Sequence, residues 1–129
     1  MTISTSQKSP GRVLATNAVR LRGRWKGGGA AADCTRESGR GIASVAYNGA
    51  TGRYKITFAE VGEVYLGAVF SVQGAAGAAT SFMARPTVYS ATDKTLTFDV
   101  TDLATPTNHD LATSEYVTID VEWDDSDAS

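Results

Sequence analysis

A chain of 129 residues is the size of one domain, and with 42% hydrophobic residues it can fill one core. It holds no run near the roughly eighteen apolar residues of a membrane helix, its opening lacks the charged cap and apolar stretch of a secretion signal, and its one cysteine, Cys34, excludes an internal disulfide and a thiolate metal cluster. The formal charge of −2 hides an asymmetry: residues 1–55 hold ten cations against Asp33 and Glu37, a balance of +8, whereas the remainder holds Arg85 and Lys94 against twelve acids, a balance of −10.

These features lead to the expectation of a soluble, unsecreted protein made in a reducing cytoplasm. The charge split raises nucleic-acid binding by the basic half, or else mutual neutralisation of the halves on folding. Neutralisation is the simpler expectation, and it brings distant parts of the chain together.

Residues 1–17, with Lys8, Arg12 and Pro10-Gly11, keep no sustained period and read as an extended N-terminal arm ahead of a domain over 18–129. In 19–26, Val19, Leu21, Gly23 and Trp25 alternate with Arg20, Arg22, Arg24 and Lys26. Period two sends successive side chains to opposite faces, so this is a strand with one apolar and one basic face. Gly27-Gly28-Gly29 follows, without the Gly-Lys-Ser/Thr ending of a phosphate loop, and is expected to be a flexible loop running into a charged polar segment over 33–40.

A hairpin is predicted over 42–47 and 53–59, joined by Asn48-Gly49-Ala50-Thr51-Gly52, with Val45, Tyr47, Tyr54, Ile56 and Phe58 inward. The strand over 64–73 looks apolar on both faces: Val64, Leu66, Ala68, Phe70 and Val72 on one, Tyr65, Gly67 and Val69 on the other. Such a strand calls for two covers, the second from a neighbouring subunit, the arm or a loop. A loop of small residues spans 74–81. In the strand over 82–89, Pro86 marks an edge or a bulge. Residues 95–101 put Leu96, Phe98 and Val100 inward. A long loop over 102–115 contains His109 and a short helical turn near 110–113. In 116–123, Val117, Ile119, Val121 and Trp123 alternate with Thr118, Asp120 and Glu122. Asp124 opens an acidic tail over 124–129.

About seven strands with short turns imply an all-β fold: a single-domain antiparallel β-sandwich, jelly-roll-like, in which a Greek-key crossover lays the basic first strand beside the acidic last one. The residues expected at partner or subunit contacts are Arg12, Arg20, Arg22, Arg24, Lys26, Asp120, Glu122 and Asp124.

Catalysis needs a nucleophile, a base and stabilising donors in assignable roles. His109 stands beside Asp110 in a polar loop and reads as a solvated surface residue. Cys34 has no histidine or second thiol nearby in sequence, so an enzyme would require Cys34, His109 and an acid to converge. Asp120 and Glu122 share a strand face as glycosidase acids do, but the basic strand is their nearer explanation. The tail acids lack the glycine and terminal glutamate of a calcium loop. Nucleic-acid binding is disfavoured, because Trp25 lies on the face opposite the cations, whereas a single-strand platform interleaves exposed aromatics with charge. No catalytic residue, cofactor or metal is expected.

The stretch 19–58, with its Arg22-Gly23-Arg24-Trp25 strand, its glycine-rich loop and its Ile42-Ala43-Ser44-Val45-Ala46-Tyr47-Asn48-Gly49 hairpin, resembles small structural proteins of tailed bacteriophages. These are β-sandwich head-decoration and fibre-type domains, and the likeness covers about a third of the chain. The resemblance implies a non-enzymatic capsid decoration (cement) protein on the capsid exterior. It would be a trimer, partnered with the major capsid protein and with itself, clamping neighbouring subunits with its arm and basic strand. The alternative is a fibre- or tail-associated module that binds a host surface glycan through its loops.

Overall fold

The computed structural model describes residues 18–74 and 81–124. The expected arm over 1–17, most of the loop over 74–81 and the tail after Asp124 lie outside the described residues. Among the described residues the fold is all β, with nine strands: β1 (Ala18–Lys26), β2 (Thr35–Gly39), β3 (Ile42–Tyr47), β4 (Arg53–Phe58), β5 (Val64–Gln73), β6 (Phe82–Ser90), β7 (Thr95–Asp102), β8 (Thr107–Asn108) and β9 (Tyr116–Asp124). One antiparallel sheet has the order β2-β1-β9-β5; the other runs β3-β4-β7-β6, with β8 paired to β7. They pack as a sandwich around one core. The hairpins β1–β2, β3–β4 and β6–β7 each stay within one sheet, so this order does not bear out jelly-roll connectivity.

Alternation fills the core. Trp25 from β1, Val117, Ile119, Val121 and Trp123 from β9, Tyr54, Ile56 and Phe58 from β4, and Leu96, Phe98 and Val100 from β7 are all buried. Aromatic rings bridge the sheets: Phe58 meets Trp123 edge-on at 4.9 Å, and Phe70 of β5 stacks on Phe98 of β7 at 4.6 Å. At the sandwich edge Tyr65 of β5 stacks on Tyr89 of β6 at 4.2 Å, and the Trp123 indole N–H donates to the Tyr89 hydroxyl at 2.9 Å. Each such side chain contributes about 1.5–3 kcal/mol by leaving water.

Three local expectations are corrected. Part of the predicted polar loop over 33–40 is β2, whose five residues are all exposed and which pairs with β1 from Gly23 to Lys26. With no apolar residue in Thr35–Gly39, alternation leaves no trace there. The glycine-rich segment, expected to be flexible, is tied down: Gly27 N–H donates to Glu115 O, Gly29 N–H to Leu111 O and Ala31 N–H to the Asp110 carboxylate. The loop before β9 holds no helical turn at 110–113; instead Glu115 N–H bonds Ala112 O at 3.0 Å, one residue pair further on, and β8 adds a short rung to β7.

The fourth correction concerns β5. Its pairing with β9 is regular at Val64↔Asp124 and Tyr65↔Trp123, then jumps to Gly67↔Glu122, so Leu66 is an extra residue in a β-bulge. One inserted residue reverses the parity of everything after it. Tyr65 therefore points inward before the bulge, and Ala68, Phe70 and Val72 after it. The strand that looks two-faced in sequence has one inner face, assembled from both alternation sets. What remains outside is Val64, Leu66 and Val69, exposed at 48%, 57% and 71%.

Candidate interaction face

The outer face of the β2-β1-β9-β5 sheet collects the charged strands. β1 and β9 pair antiparallel over their whole length, the first strand against the last, as their charge patterns led one to expect. The register sets out rows across three strands: Ala18–Asp124–Val64, Arg20–Glu122–Gly67, Arg22–Asp120–Val69, Arg24–Thr118–Ser71 and Lys26–Tyr116–Gln73. Cations stand on β1, acids on the adjacent β9, and uncharged residues on β5. The face thus changes from basic to acidic to apolar within three strand spacings of about 4.8 Å each.

Within this lattice the pairing is partly diagonal. Arg20 sits opposite Glu122 but reaches Asp120 with two hydrogen bonds, Nε to Oδ1 at 3.0 Å and Nη2 to Oδ2 at 2.6 Å. Arg22, opposite Asp120, approaches the same carboxylate at 3.6 Å. The Arg20 fork, opposed by partial desolvation and aided by the charges of Arg20 and Arg22, holds the Asp120 carboxyl below its usual range. Arg24 pairs with Glu37 of β2 at 3.6 Å and lies 4.0 Å over the Tyr116 ring, a cation–π contact. Beside the bulge, Arg20, Leu66, Gly67, Val69, Asp120 and Glu122 line a shallow depression of about 470 Å³.

Of the residues expected at contacts, Arg20, Arg22, Arg24, Lys26, Asp120, Glu122 and Asp124 therefore lie on two adjacent strands, while Arg12 is outside the described residues. The Leu66 bulge, and with it the exposed trio Val64, Leu66 and Val69, is invisible to an alternation count. Gly67, with φ of +146°, is its one sequence trace.

The residues considered for catalysis take structural roles. His109, expected to be solvated, is half-buried: its Nε2 lies 2.7 Å from Glu115 Oε1, and its ring stacks on Phe82 at 4.1 Å. Its partner is Glu115, six residues away, rather than neighbouring Asp110. Glu115 Oε1 also accepts the Ala112 N–H at 2.7 Å, and Asp110 accepts the amides of Ala31 and Gly52, so these acids fasten loops together. Cys34 is buried, and desolvation, with the charge of Asp33 added, pushes its thiol up to about 12. Such a thiol is not a nucleophile at neutral pH. Among the described residues no group of three or more His, Cys, Asp and Glu is placed to hold a metal ion. The outer face of the β2-β1-β9-β5 sheet thus carries both signs of charge and is apolar along one margin.

No family model, curated protein or solved structure matches the chain.

Proposed function

We propose that this chain is a non-enzymatic virion structural protein of the capsid decoration (cement) class. In this reading it binds the exterior of a tailed-phage shell, assembles as a trimer, and clamps neighbouring subunits of the major capsid protein. The observation that supports it is the outer face of the β2-β1-β9-β5 sheet, where charges of both signs stand in register beside exposed Val64, Leu66 and Val69. Burial of the apolar margin supplies affinity, and the charge rows fix orientation and register against a partner of complementary pattern.

The test is co-sedimentation of the purified protein with shells of the virus that carries its gene, combined with light scattering of the free protein. Expected are saturable binding, a raised temperature of shell disruption, a trimer mass in solution, and loss of binding on Val69→Asp. A compact monomer that stays in the supernatant while the shells sediment would sink the proposal and turn attention to glycan screening.

A further inference from the structure

Arg20, Arg22, Arg24 and Lys26 form one column on the outer face of β1, but the column's arginines differ in how firmly they are held. Arg20 takes both oxygens of Asp120, Nε on Oδ1 at 3.0 Å and Nη2 on Oδ2 at 2.6 Å. Arg22 is left with the same carboxylate at 3.6 Å, and Arg24 has Glu37 at 3.6 Å. Both separations exceed hydrogen-bonding distance. Neither of these two guanidinium groups donates a hydrogen bond to a described residue, although each carries a full fork of N–H donors.

The two side chains also part from one another. Arg22 turns to Asp120 in its own row, whereas Arg24 lies 4.0 Å over the ring of Tyr116, one row further along β9. Between them a shallow depression of about 250 Å³ opens on the sheet, lined by Arg22, Gly23, Arg24, Ser38 and Thr118. Gly23 contributes backbone and no side chain to it. Register accounts for the hydroxyls: Arg24 pairs with Ser38 of β2 on one side and with Thr118 of β9 on the other.

We infer that this depression is a binding site for one tetrahedral oxyanion, a phosphate or sulfate group, held between the guanidinium groups of Arg22 and Arg24. Alternate residues of a strand stand about 6.6 Å apart, a separation that a single such ion bridges. Paired guanidinium N–H groups match its oxygens in geometry as well as in charge. The Ser38 and Thr118 hydroxyls donate to the oxygens that remain. The neighbouring acids leave room for a third anion: Asp120 is already neutralised by Arg20, and Glu37 is exposed enough to turn into water. Arg20 and Lys26, at either end of the column, add positive potential. The site is open to solvent, so it takes either a free ion or the terminal group of a monoester. It does not depend on a capsid being the partner.

The test is a titration of the isotope-labelled full chain with sodium sulfate and with sodium phosphate, at ionic strength held constant with chloride, read by amide and arginine Nε–H chemical shifts. Saturable shifts at Gly23, Arg24, Ser38 and Thr118 are expected, with a dissociation constant of about 1–10 mM. Arg22 and Arg24 are exposed at 64% and 44%, so substituting them leaves the core intact. Arg22→Gln and Arg24→Gln should each weaken binding about tenfold. Arg36→Gln, which removes an exposed cation of β2 outside the depression, should change it less than about twofold. Methyl phosphate and methyl sulfate distinguish the sources: tighter binding of an ester than of its inorganic ion assigns the site to a monoester, and weaker binding assigns it to the free ion. Shifts that stay linear without saturating, or equal weakening by all three substitutions, would overturn the site in favour of diffuse attraction to the basic column.

Discussion

Arg20 bypasses the residue directly opposite it, Glu122, and clasps Asp120 with a two-bond fork. The diagonal joins two rows of the β1–β9 ladder through one carboxylate, which Arg22 also approaches. The consequence for pH follows from the sign of the shift. Asp120 is held below its ordinary value of 3.8 in the folded chain, so its contribution is fully present above that value and is lost as pH falls from there through the lower folded value. Asp120→Asn should therefore be less stable than the parent at neutral pH, with the gap closing in acid below 3.8 and shrinking in high salt. Urea midpoints across pH, with a gap independent of both variables, would contradict this.

The two tryptophans should respond to very different extents to loss of the indole nitrogen. Trp25 Nε1 is buried with no acceptor, whereas Trp123 Nε1 bonds the Tyr89 hydroxyl. Trp25→Phe relieves an unpaired donor that costs about 1–3 kcal/mol and offsets lost packing, giving a net change under about 1 kcal/mol. Trp123→Phe strands the Tyr89 hydroxyl as well and should cost about 2–4 kcal/mol. Denaturant titration of both variants decides between this order and the reverse.

Gly49 and Gly52 offer a comparison at nearly constant backbone geometry, with φ of +75° and +74°. A Cβ at Gly49 meets nothing within 4 Å, but at Gly52 it would lie 2.6 Å from Val100 O and 2.8 Å from His109 N. Gly49→Ala should cost about 1 kcal/mol from the left-handed conformation alone. Gly52→Ala should cost at least about 2 kcal/mol more, because backbone of β7 and of the loop after β8 has to move. Equal losses in thermal unfolding would refute the crowding.

Cys34 should be close to inert in the folded protein. With its thiol pushed up to about 12 and its side chain buried, labelling at pH 8 is expected to run roughly a thousandfold slower than in urea. Rapid labelling of the native chain would show an exposed thiolate.

Where the chain repeats itself in alternation, sequence reasoning reached the fold. Val19 to Trp25 and Val117 to Trp123 each have one apolar and one charged face, and opposite signs on strands far apart predicted their pairing. It failed where the physical cause is not periodic. Thr35–Gly39 has no apolar residue, and its conformation comes from ladder bonds to β1. Leu66 satisfies alternation as well as its neighbours do, so only register against β9 shows it to be surplus. Glu115 became visible as the His109 partner only when the intervening turn closed. The charged half of the outer face of this sheet was thus legible, and its apolar margin was half legible, correct in composition but wrong in which side chains face out.

The central position of β9 between β1 and β5 orders events during synthesis. While residues 116–124 remain in the ribosome, the β1–β2 hairpin and β5 have emerged but lack the strand that joins them into one sheet. The other sheet, built from β3, β4, β6 and β7, can assemble earlier through hairpins and a nearby pairing. Folding of this domain is therefore gated by its most distant contacts, and a nascent chain stalled before Tyr116 would be a substrate for chaperones rather than a partly working protein.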